Sequence, residues 1–132
     1  MVVSKPKVKW LDRRIGAPGP YLCLCLSEGE YLKALSDLDL KPVCDWIKNE
    51  HASATVHHVC SPQGNAAIVC MRGWENCDPI EVAGLLIHES VHIWQEWCEY
   101  YGEANPGCEQ EAYAIQALSQ ELMAEFARRV NG

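Results

Sequence analysis

The feature that constrains this chain most is a long helix with both ends marked. Asp78-Pro79-Ile80-Glu81 is a strong start. The aspartate can cap the free amides of the first turn, proline suits the first helical position because it has no N–H to satisfy, and Glu81 completes a capping-box pattern. Gly102 is placed to end the run, because glycine readily takes the left-handed conformation that closes helices. Taking His88 as zero and about 100° per residue, His92, Glu81, Glu99, Gln95 and Gly84 gather within about 40° of it. Val82, Leu86, Ile93, Trp94 and Trp97 occupy the opposite side. A helix with a polar stripe and a broad apolar back packs on a core and lines a cleft. Gly84, one turn before His88, leaves space beside that stripe.

The stripe carries His88-Glu89-Ser90-Val91-His92, an H-E-x-x-H sequence. Residues four apart share a helix face, so both imidazoles can reach one metal ion. Glu89 projects about 100° around from His88, beside such an ion rather than onto it. There it can take a proton from an activated water. A chance occurrence in a chain this long is rare, on the order of a few per thousand.

Catalytic zinc usually takes three protein ligands and leaves one position for water. No histidine follows His92, so the third ligand of the longer histidine-only motif is absent. Glu103, Glu109 and Glu111 are the carboxylate candidates. The last helix has an apolar stripe at Ile115, Leu118, Leu122 and Phe126, and extending it back one turn gives Glu111. A carboxylate in line with a core stripe needs a partner, and zinc is a suitable one. Glu109 lies about 200° away around that helix, and Glu103 precedes it in a loop. Without a metal, Glu111 is an acidic residue favoured by the helix dipole.

The remaining chain reads as strand, helix, two strands, two helices. Residues 1–20, with Pro6, Gly16, Pro18, Gly19 and Pro20, form an arm and turn. Residues 21–26 are a short apolar run, a buried strand. Ser27 with Glu30 opens a helix that reaches about residue 40, where Lys41-Pro42 ends it. Residues 43–53 are the least defined, with a short helix around Trp46 as the candidate. Residues 54–60 and 66–71 form a hairpin around Ser61-Pro62-Gln63-Gly64-Asn65. A final helix spans about 108–129, and Arg128-Arg129 at its end suits the dipole. The expectation is one α+β domain over 1–132, with a small sheet of about three strands packed against helices.

Composition bounds the partners. The net charge of −7 opposes binding to phosphate backbones, so nucleic acid is not expected. No stretch of about 18 apolar residues is present, and residues 1–7 lack an apolar signal core, so a cytoplasmic protein without a membrane span is expected. Eight cysteines are present without any Cys-x-x-Cys pair. They read as reduced thiols, mostly buried as small apolar groups. His57 and His58 are neighbours on a strand and point to opposite faces. One of them is expected in the core, and either is open to a substrate-binding role.

Residues 87–95 followed by Glu109-Gln110-Glu111-Ala112-Tyr113-Ala114 resemble the gluzincin-type zinc peptidases in minimal form. The chain is also similar to short metallopeptidases encoded by bacteriophages and prophages. Residues 21–27, residues 54–57 and Gly102-Glu103 fit that pattern too, so the resemblance covers most of the chain. It implies a zincin-like active-site helix followed by a ligand-bearing C-terminal helix. It further implies Zn2+ on His88, His92 and Glu111, Glu89 as catalytic base, and a peptide or protein substrate. Tyr100, Tyr101 and Tyr113 lie near these positions and are candidates to stabilise the oxyanion, each being otherwise an ordinary core or surface aromatic. The strand at 66–71 is the candidate edge for pairing with an extended peptide. Two other roles stay open: an interaction or virion-associated protein with a structural zinc, and hydrolysis of a non-peptide amide such as a cell-wall fragment.

Overall fold

The computed structural model describes residues 8–11 and 21–131. Most of the arm expected at 1–20 lies outside them. Four strands, β1 (Trp10–Leu11), β2 (Tyr21–Cys25), β3 (Ala54–Ser61) and β4 (Gly64–Met71), form one mixed sheet. Three helices, α1 (Glu28–Asp37), α2 (Pro79–Tyr100) and α3 (Cys108–Asn131), complete the α+β architecture. The sheet order is β1-β2-β4-β3, with β2 parallel to β4 and the other pairs antiparallel. The sheet therefore has four strands rather than about three. The extra one, β1, is a two-residue strand inside the expected arm, where Trp10 pairs with Cys23 and its indole donates to Asp37 of α1 at 3.1 Å.

Strand alternation divides the core in two. Leu22, Leu24, Val69 and Met71 face α2 and α3, packing with Leu86, Ile93, Trp94, Leu118 and Leu122. Cys23, Cys25, Ile68 and Cys70 face α1, packing with Tyr31, Ala34, Leu35 and Leu38. A central strand covered on both faces reads as a continuous apolar run, and this is why 21–26 and 66–71 lack a period of two. Pairing with β2 on one side and β3 on the other makes β4 an interior strand. The edge expected there belongs instead to β3, outermost on that side. Cys23, Cys25, Cys70 and Cys98 are buried, whereas Cys44, Cys60 and Cys108 are exposed, so only half of the thiols serve as core groups.

The helix ends follow their chemistry. Asp78 accepts from the Glu81 amide at 2.8 Å. At the far end of α2, Gly102 has φ 70°, its N–H donates to Glu99, and the Glu103 N–H donates to Cys98. These two bonds close a Schellman motif on a glycine. Helix α1 ends at Asp37, short of residue 40, because Asp39 takes φ 57° and builds the same motif: Asp39 N–H to Ser36 and Leu40 N–H to Leu35. The segment after it holds no helix around Trp46. Its backbone is spent elsewhere, since the Trp46 carbonyl binds His57 and the Lys48 amide donates to the Thr55 hydroxyl. Among the described residues no helix is long and apolar enough to cross a membrane.

Arg128 and Arg129 do more than complement a dipole. Arg129, 3% exposed in its side chain, pairs with Glu30 of α1 and Glu125, and donates to the Leu24 carbonyl of β2 at 3.1 Å. Arg128 holds both Glu125 oxygens at 2.7 Å. This ion cluster ties the end of α3 to the start of α1.

Candidate active site

Helix α2 lies beneath β3 with its polar stripe in a cleft of about 510 Å³. His88 and His92 are exposed on that stripe, one turn apart. Their Nε2 atoms approach to 3.1 Å and the rings meet edge to face. Gln95 Oε1 lies 3.3 Å from His92 Nδ1. An amide oxygen only accepts, so this contact makes Nδ1 the donor and leaves Nε2 its lone pair. Two nitrogens bound to a tetrahedral zinc at about 2.0–2.1 Å stand roughly 3.3 Å apart. The histidine pair therefore fits two corners of such an ion.

Glu89 sits beside the pair and is only 5% exposed. It has no hydrogen-bond or ion-pair partner among the described residues, and it opens onto the cleft. Burial pushes its carboxyl above the ordinary value, and the charges of His88, His92 and Lys48 pull partly against that. Its carboxyl oxygens reach the cleft rather than being sealed in the packed interior, which leaves them able to meet a group bound there.

Glu111 stands elsewhere. Its Oε2 accepts from the indole N–H of Trp94 at 2.9 Å. Trp94 is about 200° around α2 from His92, on the apolar back that α3 covers. The stripe reasoning found the face of α3 that meets α2, but α3 meets the side of α2 opposite the histidines. Among the described residues no group of three or more His, Cys, Asp or Glu is placed to hold an ion, so the expected trio with Glu111 is not assembled.

The tyrosines divide. Tyr100 and Tyr101 line a small cavity of about 80 Å³ with His58, Ile93, Glu96 and Trp97, beyond the histidines. Tyr113 is 65% exposed on α3, and none of the three lines the cleft at Glu89. His57 is the core histidine. Its Nε2 donates to the Trp46 carbonyl at 2.8 Å, its ring lies on Tyr31, and burial lowers its pKa. His58, on the other face of β3, lines the cleft opposite His92. Burial lowers its pKa as well, with Glu96 opposing.

Two cleft residues escaped sequence reasoning. Lys48 reaches it from the irregular segment and donates to the Val56 carbonyl at 3.0 Å, a position no local pattern announces. Glu96 lies one turn past His92, and the helical wheel was sufficient to find it. Comparison with protein-family models, with curated proteins and with solved structures found no match.

Proposed function

We propose that this chain is a zinc metallopeptidase of the gluzincin type, with His88 and His92 as metal ligands and Glu89 as the general base. One observation carries the reading: two imidazole nitrogens 3.1 Å apart, with the carboxyl of largely buried Glu89, unpaired among the described residues, opening onto the same cleft. A site that only held helices together would have no use for an acid at that position and would fill its four corners with protein atoms. An edge strand over the motif helix, followed by a second long helix, is in keeping with a zincin-like arrangement.

Zinc bound there would polarise a substrate carbonyl and lower the pKa of water to about 7. Glu89 takes a proton from the attacking water and delivers it to the leaving nitrogen. The outer edge of β3 suits pairing with an extended substrate backbone. A three-ligand shell that includes Glu111 needs its carboxylate to turn from Trp94 toward the histidines. The same reading places the protein in the cytoplasm, where exposed thiols such as Cys44 and Cys108 stay reduced.

Metal content by mass spectrometry, on protein purified without added metal, tests the site. One zinc per chain is expected, lost in His88→Ala and kept in Glu89→Gln. Cleavage of a peptide library should fall by at least about 10²-fold in Glu89→Gln. Weaker zinc binding in Glu111→Ala would identify the third ligand, and unchanged binding would leave Glu111 as the partner of Trp94 alone. A chain that takes up no zinc when it is added would sink the proposal.

A further inference from the structure

The reacting groups sit in the middle of a groove, not at the end of one. A second cavity, of about 540 Å³, lies on the other side of His88 and Glu89, toward the start of α2. Glu81, Gly84 and Leu85 line it, and Ala54 of β3 is common to both cavities. In the opposite direction the 510 Å³ cleft runs past His58 and Glu96 into the small pocket walled by Trp97, Tyr100 and Tyr101. The three spaces follow α2 from Glu81 to Tyr101, about 30 Å of helix, room for roughly nine residues of extended chain. Glu89 opens onto both large cavities.

The walls have a sign. Exposed Glu81 stands on one arm and exposed Glu96 and Glu99 on the other, none of them ion-paired among the described residues. Among the described residues Lys48 is the one lysine or arginine lining the two large cavities, and its ammonium is anchored on the Val56 carbonyl. The net charge of −7 extends the same field over the whole chain.

We infer that the groove takes an extended, positively charged peptide segment that continues on both sides of Glu89 and is cut at an internal bond. Basic side chains face Glu81, Glu96 and Glu99, and a small apolar side chain such as valine fills the pocket of about 80 Å³ at Trp97 and Tyr101. An enzyme that trims chain ends closes its cleft on one side of the scissile bond, and among the described residues nothing closes this groove on either side of Glu89. In the cut, the oxygen of water bonds to the carbonyl carbon and the C–N bond breaks. The proton that Glu89 takes from water passes to the new amine. The cleavage half rests on the zinc-peptidase reading; the binding half stands without it.

The test uses the full chain and labelled ten-residue peptides blocked at both ends, one rich in Lys and Arg with a single Val, the other with Glu at the basic positions. Binding to Glu89→Gln is read by fluorescence anisotropy. The basic peptide should bind at least about tenfold more tightly at low salt, with the preference shrinking as salt rises. Glu96→Gln with Glu99→Gln should weaken it about 4- to 10-fold. Gly84→Trp is the steric control: a side chain there meets no atom within 4 Å and projects into open space. It should lower affinity by at least about tenfold by filling part of the groove. Zinc-loaded wild type should cut the blocked basic peptide internally, with two fragments seen by mass spectrometry. Equal or tighter binding of the acidic peptide, indifference to Gly84→Trp, or trimming of free-ended peptides only would overturn the inference. Basic-peptide binding that Gly84→Trp abolishes, without any cleavage by wild type, would uphold the groove and overturn the peptidase reading.

Discussion

Replacing Arg129 by alanine should be among the most damaging single changes in this chain, although it lies three residues from the end of the sequence. Its guanidinium serves Glu30, Glu125 and the Leu24 carbonyl at once, and its side chain is 3% exposed. The partner side chains are 11% and 2% exposed. Removing one member of a buried ion pair leaves the other charge without water or a partner, at a cost of about 3–5 kcal/mol. Glu125 keeps its two bonds to Arg128, so the loss falls chiefly on Glu30, which among the described residues retains the Leu26 amide at 2.7 Å. For a chain of this size the cost corresponds to a fall of roughly 10–20 °C in Tm. Arg128 is 46% exposed, and Glu125 keeps Arg129 when it is removed, so its alanine variant should lose clearly less. Urea melts of wild type and both variants measure the contrast. The double variant Arg129→Met, Glu30→Leu should recover most of the loss, because apolar replacement removes the stranded charge. Equal effects of Arg128→Ala and Arg129→Ala, or a loss below about 1 kcal/mol for Arg129→Ala, would refute the reasoning.

Three further outcomes follow from the geometry. Burial raises the Glu125 carboxyl, but the Arg128 hydrogen bond and the charges of Arg128 and Arg129 outweigh it and hold the group below its ordinary range. A depressed folded-state pKa contributes stability above the unfolded value, about 4.3, that is lost as pH falls through the folded one. Stability should therefore decline below about pH 4.5, and Glu125→Gln should flatten that decline in acid-titrated urea melts. Glu89→Gln should leave stability within about 1 kcal/mol of wild type while sharply reducing cleavage, because the carboxyl opens onto the cleft and has no partner among the described residues to lose; a larger loss in thermal melts would reveal a partner and undercut its catalytic assignment. Gly102→Ala should cost about 1 kcal/mol, since φ 70° strains any residue with a Cβ, and a neutral result would mean that the end of α2 rebuilds its cap.

What the sequence made legible is what short-range chemistry decides. Asp78, Pro79 and Gly102 fix the ends of α2 because a cap needs only its own turn, and the histidine spacing fixes one face because helical geometry does. The β3–β4 hairpin is equally local: Gly64, at φ 132° and with the Tyr21 ring 3.0 Å from where a Cβ would stand, closes a turn that begins only three residues earlier at Ser61. Strand order was not legible. Nothing within residues 66–71 says that β2, some 45 residues earlier, inserts beside it and moves the sheet edge to β3. The apolar run of 66–71 says only that both faces of its strand are covered, not which strand pairs beside it.

Glu111 marks the same boundary at the site. The apolar stripe of α3 correctly turned Glu111 toward α2, but a stripe on one helix does not specify the angle at which the other receives it. The apolar back of α2, centred on Leu86, Ile93 and Trp94, had to be covered by α3, because the sheet alone leaves the indole of Trp94 without a hydrogen-bond acceptor. Once α3 sits there, Glu111 meets Trp94 first. The polar stripe is left to face β3 instead, and it becomes a groove because β3 is the last strand of the sheet and no helix follows to close it. The accessibility of His88 and His92 thus follows from where the apolar side of α2 had to go. A variant that weakens the α2–α3 seam without touching the stripe separates these roles. Leu118→Ala should cost about 2–5 kcal/mol, yet leave zinc binding to the folded fraction unchanged. Parallel loss of zinc affinity at temperatures where that variant is still folded would show that the seam, and with it Glu111, belongs to the metal site.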